Sequence, residues 1–108
     1  MAELIVVYWR DIPAQLIVKK GRLSEKAPLD ERFEKAIDRA AMRAGFTGTD
    51  AYLAEWRKGT PLPVGDDLVA ELAHHKQRLE REFDEERLKR LVLNGGKEPD
   101  QPGGKPDV

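Results

Sequence analysis

Two adjacent histidines, His74 and His75, are the first residues a metal ion would find in this chain. Successive helical residues point about 100° apart, so the pair cannot address one ion without distortion. The H-E-x-x-H arrangement, which sets two ligands on one helix face, is absent. Both histidines therefore read as surface residues. The chain has no cysteine, which removes thiol catalysis, disulfides and Cys-based zinc sites together. Ser24 is the single serine and lacks a Gly-x-Ser-x-Gly setting. No glycine-rich loop follows a strand, so the phosphate-cradling fingerprints are missing. Twenty acids guarantee that some pair lies close, but carboxylate catalysis also needs a concave site that raises one pKa. No catalytic, metal or cofactor residues are expected.

Arg78, Arg81, Arg87, Lys89 and Arg90 are interleaved with Glu80, Glu82, Asp84, Glu85 and Glu86. That mixture cancels instead of forming a basic stripe, and no aromatic platform accompanies it. Nucleic acid is not an expected partner. One constellation is suggestive: Tyr8, Trp9, Arg10 and Asp11 at one element end, and Trp56 with Arg57 at another. Both tryptophans fit core packing. A Trp beside an Arg at an element end also fits a partner-facing patch.

The elements that would position these residues begin with two β-prone runs. In Leu4 to Trp9 both alternating sets are apolar, which marks a central strand buried on both sides. Ala14 to Lys19 alternates more nearly apolar with polar, so the second strand reads as peripheral, with Pro13 at its start. Such a hairpin needs helices on at least one face, and an incomplete sheet would invite a partner. Gly21 to Leu29 reads as a connection. Asp30 then reads as an N-cap. From there Phe33, Ala36, Ile37, Ala40, Ala41 and Ala44 follow helical spacing up to Gly45. A short helix is expected from Asp50 to Lys58, capped by Thr49, stopped by Gly59 and carrying Tyr52, Leu53 and Trp56. Thr60 to Gly65 reads as a stiff linker.

The last helix opens at Asp66 or Asp67, acids that favour a helix N-terminus. Its stripe of Leu68, Leu72, Leu79 and Phe83 slips by one position before Leu88, Leu91 and Val92. Either it bends near Asp84 or its charged end projects.

Length and composition set the bounds. The chain has 108 residues, 40% hydrophobic and 36% charged, with a net charge of −1 and a pI of about 6.1. Residues 95–108 hold four Gly and three Pro and no apolar residue before Val108. They cannot bury surface to offset ordering entropy, so they read as a disordered tail behind a single domain of residues 1–94. The balanced, slightly acidic charge lacks the positive field that phosphate backbones reward. Nothing approaches a membrane span or a signal-peptide core, and the expected address is the cytoplasm.

Three strings carry a family resemblance. Tyr8-Trp9-Arg10-Asp11-Ile12-Pro13-Ala14-Gln15, Glu31-Arg32-Phe33 with Ala36-Ile37-Asp38-Arg39-Ala40-Ala41, and Thr49 to Arg57 together resemble the small bacterial "virulence factor" domain family. That domain is also associated with conserved virulence factor C proteins. The resemblance spans about residues 3–92 and implies no catalytic residues. The expected architecture is an α+β domain: an N-terminal antiparallel hairpin packed on three helices, the last long and charged. The expected function is a non-enzymatic protein-binding or accessory module that meets a protein partner or a second copy through Tyr8, Trp9, Arg10, Asp11, Trp56 and Arg57. A small-molecule ligand is not expected. The alternative, implied by the resemblance, is a small enzyme or subunit linked to folate or corrinoid one-carbon transfer.

Overall fold

The first strand takes the position that its two apolar faces require. In the computed structural model, which describes residues 2–46 and 49–98, β1 (Ala2–Trp9) lies inside an antiparallel sheet. On one side it pairs β2 (Ile12–Lys20) from Glu3↔Lys19 to Trp9↔Ile12. The other side is shared by two short strands. Trp56–Lys58 (β4) pairs Val7–Trp9, and Leu62–Val64 (β5) pairs Ala2–Leu4. Leu23–Pro28 (β3) covers the outer edge of β2 from Lys20↔Leu23 to Gln15↔Pro28.

Three expectations are corrected here. The Gly21–Leu29 connection contains a strand, so the second strand is not peripheral. The helix expected to Lys58 stops earlier, because the open edge of β1 takes up residues 56–58. The linker before Gly65 also contributes a strand. The sheet is therefore completed within the chain. Its own edge, β3, carries Glu25, Lys26 and Pro28, residues that discourage edge-to-edge pairing.

Among the described residues there are four helices in place of three: α1 (Glu31–Arg43), α2 (Thr49–Ala54), α3 (Leu68–Glu82) and α4 (Glu85–Leu93). Helix α1 buries Phe33, Ala36, Ile37, Ala40 and Ala41, as the spacing predicts. Its C-terminus is a Schellman motif. Gly45 at φ 82° donates to the Met42 carbonyl, and Phe46 donates to that of Ala41. Asp30 stands at the N-cap, but its carboxylate makes no cap bond and accepts from Arg32 at 3.2 Å instead. The Thr49 side chain and residues 99–108 lie outside the described residues, and with them the expected cap and most of the expected tail.

The long helix is cut in two. Phe83 leaves helical geometry (φ −105°, ψ 69°), and Asp84 caps a new helix by accepting from the Arg87 backbone at 2.9 Å. Arg32 donates to the Glu80 and Phe83 carbonyls that the break sets free, at 2.6 and 3.1 Å. The slip in the stripe is thus resolved by turning the chain, and Leu79, Phe83, Leu88 and Leu91 are all buried.

The core lies between the helices and the sheet face that bears Leu4, Leu16 and Val18. A register shift between Val7 and Tyr8 leaves Ala14 without a partner on β1. Such a bulge re-aims the residues beyond it, and here Trp9 and Ile12 join the same core. Among the described residues no helix is long and apolar enough to cross a membrane.

Candidate functional site

The hairpin turn holds the most conspicuous sequence string, and its side chains are largely consumed by internal bonds. Arg10, the first residue of the two-residue turn, has φ 54°, a left-handed conformation that costs an ordinary residue about 1 kcal/mol. Its neighbours fix it there. The backbone N–H donates to the Glu55 carbonyl at 3.1 Å. Nε meets Glu55 Oε1 at 3.2 Å, and Nη1 donates to the Gly95 carbonyl at 2.9 Å. The guanidinium lies 4.4 Å over the Phe46 ring, and the side chain is 14% exposed.

Asp11 is bound as thoroughly. Its N–H donates to the Gly96 carbonyl at 2.8 Å, and its carboxylate accepts from Arg57 Nη2 and the Glu98 backbone N–H. Trp9 is fully buried; Nε1 donates to the Tyr52 carbonyl at 2.9 Å, and the two rings stack at 5.7 Å. A Trp with no exposed surface cannot touch a partner, which removes Trp9 from the expected patch. Arg57 binds the Arg10 carbonyl and sits 4.5 Å over the Tyr8 ring. The turn is a clamp. It also holds Gly95 to Glu98, so the folded body extends past the expected end at 94.

Trp56 is different. With Tyr52 it walls a cleft of about 340 Å³ lined by Ala14, Leu29 and Ile37 below and by Glu34 and Asp38 of α1 alongside. The two aromatic rings meet at 85° with centroids 6.1 Å apart. Glu34 and Asp38 stand one helical turn apart, and neither carboxylate makes an ion pair or hydrogen bond among the described residues. Burial raises the Tyr52 hydroxyl above its ordinary value of 10.0, and the Asp38 charge raises it further. An apolar floor, two π faces and two free carboxylates suit a cation carried on an apolar stem.

Reading the sequence for function missed Glu34, Asp38 and Tyr52. A signal was present: like charges at i, i+4 oppose helix formation by a few tenths of a kcal/mol, so the Glu34/Asp38 pair needs a reason. His75 is a further correction. Its side chain is 12% exposed and contacts Glu71 and Arg78, while no group of three metal-ligating side chains exists among the described residues.

These elements define a small α+β domain, an antiparallel sheet with helices packed on one face and a cleft at α1 and β4. Residues 7–92 match the model of the family described as "Virulence factor", and the chain belongs to that family. The matched span runs from β1 into α4 and includes every residue of the cleft. No curated protein and no solved structure matches the chain.

Proposed function

We propose that this chain is a non-enzymatic binding module of the bacterial cytoplasm whose α1–β4 cleft receives an arginine or lysine side chain of a protein partner. The observation that carries this reading is the aromatic corner of Trp56 and Tyr52 facing the unpaired carboxylates of Glu34 and Asp38. A cation over such a ring contributes roughly 0.5–2 kcal/mol, more as water is excluded. The carboxylates then supply charge and hydrogen-bond acceptors that a neutral guest cannot use. Of the expected contact residues, Trp56 belongs to this cleft, and Tyr8 with Arg57 forms a stacked pair beside the turn. The one-carbon alternative needs a pocket on which Arg, Asp and Trp side chains converge. Arg10 and Asp11 are instead engaged with Glu55, Arg57 and residues 95–98.

A titration with acetyl-Gly-Arg-Gly-amide, followed through the two indole N–H resonances, tests the reading. The Trp56 signal is expected to move and the buried Trp9 signal to stay. Paired Glu34→Gln and Asp38→Asn changes should weaken binding by about tenfold. An equal response to the citrulline peptide, or none to the arginine peptide, would discard the proposal.

A further inference from the structure

A second concavity of about 340 Å³ lies on the sheet and shares no lining residue with the cleft. Its floor is Ile5 and Ile17, which face each other in the β1–β2 register. Alternation along β1 turns Ile5 and Val7 away from the face of Leu4 and Val6. Ile5 is only 7% exposed yet stands outside the main core cluster. Around this floor stand Lys19 from β2, Arg22 from the β2–β3 turn, Lys26 from β3 and Lys58 from β4, and no acid lines the cavity.

The cradle gathers four cations around one concavity without an acid among its lining residues. Several cations elsewhere meet an acid: Arg10 with Glu55, Lys20 with Asp66, Lys76 with Glu80, Arg78 with Glu82. None of the four cradle cations has an ion pair or side-chain hydrogen bond among the described residues. Glu3 stands opposite Lys19 in the register and still makes no ion pair with it. In a chain of net charge −1, four unmatched cations from four segments around one apolar floor is a segregation that like-charge repulsion opposes.

We infer that this cradle docks an acidic polypeptide segment of a protein partner, its carboxylates on Lys19, Arg22, Lys26 and Lys58 and an apolar side chain on Ile5 and Ile17. Charge complementarity selects the sign of the occupant. A two-fold contact with a second copy through this face would oppose cations to cations, and strand addition is closed at β1, which is paired on both sides, and discouraged at the β3 edge by Glu25, Lys26 and Pro28. The isoleucine floor selects a polypeptide over a phosphate chain, which would leave it wet. No aromatic ring lines the cradle for a base to stack on, and the Tyr8 ring already carries the Arg57 guanidinium.

The probe is a fluorescein-labelled peptide alternating Asp or Glu with Leu, compared by anisotropy with its Asn/Gln counterpart, poly(U) RNA and phosphatidylglycerol vesicles. Binding of the acidic peptide is expected to weaken as salt rises, because exposed charges are screened. Lys26→Glu with Lys58→Glu should weaken it by about tenfold at unchanged circular dichroism, and Ile17→Ser should weaken it at low and high salt alike. The Glu34→Gln, Asp38→Asn protein should bind as the parent does, which separates this surface from the cleft. Equal binding of the charge-reversed protein, equal binding of the Asn/Gln peptide, or preference for the RNA or the vesicles would overturn the inference.

Discussion

Arg10 shows how one residue can be strained and stabilising together. Arg10→Gly removes the left-handed penalty but also the bonds to Glu55 and the Gly95 carbonyl. Charge-assisted bonds contribute about 1.5–3 kcal/mol each, so the glycine variant should lose roughly 2 kcal/mol net. Arg10→Ala keeps the strain and should lose about 1 kcal/mol more than the glycine variant. Chemical denaturation of the two separates backbone strain from side-chain bonding. His75 gives a pH-dependent counterpart. Its Nδ1 accepts from the Arg78 guanidinium, which can only donate, so the ring is neutral with its proton on Nε2 towards Glu71. Burial lowers its pKa below 6.5, and the charges of Arg78 and His74 lower it further against the opposing effect of Glu71. As pH falls below 6.5 the unfolded chain binds this proton before the native state does. Stability contributed by neutral His75 is therefore present above 6.5 and is lost as pH falls towards the native value. His75→Gln can still accept from Arg78 and donate to Glu71, and its melting temperature should fall less between pH 7 and 5.5 than that of the parent. Parallel pH profiles for the two proteins would remove this account.

At the scale of elements, the break between α3 and α4 depends on Asp84. Asp84→Ala should cost about 1 kcal/mol, the ordinary loss for an N-cap carboxylate, read as a lower denaturant midpoint at unchanged slope. Where a single periodicity dominates, the sequence was readable: the α1 stripe ends at Gly45, and β1, apolar on both faces, is central. The three short or polar strands were not. Strand β3 exposes nearly all its side chains, so burial leaves no alternation in it. Strands β4 and β5 have three residues each and form because β1 offers unpaired N–H and C=O groups, a tertiary cause invisible to local propensity. Trp56 illustrates the ambiguity: it continues the spacing of Tyr52 and Leu53 yet belongs to a strand. The cleft was hidden for the same reason, since Trp56 meets Glu34 and Asp38 only after β4 docks on β1.

Across the whole molecule, the hairpin turn and the end of α4 are one structural unit. Gly96 sits at φ 93°, and a Cβ there would lie 2.6 Å from Trp9 Cζ3, inside any tolerable contact. Gly95 and Gly96 carbonyls accept from Arg10 and Asp11, Glu98 N–H donates to Asp11, and Arg87 pairs with the Glu98 carboxylate at 2.7 Å. Composition assigns these residues to a tail because they lack apolar side chains. Their backbone groups pack all the same, since the turn presents a half-buried guanidinium and a carboxylate that need partners. Two truncations measure that contribution without involving residues beyond 98: one protein ending at Glu98, the other at Asn94. Four hydrogen bonds or ion pairs at about 0.5–1.5 kcal/mol each imply a difference of roughly 3 kcal/mol. For a domain of this size that is on the order of 15 °C in melting temperature. Within the shorter protein the loss should centre on the turn, exposing the Trp9 indole to solvent and shifting its emission to the red. Equal melting temperatures would mean that the turn holds Trp9 and Arg10 without help from the chain end.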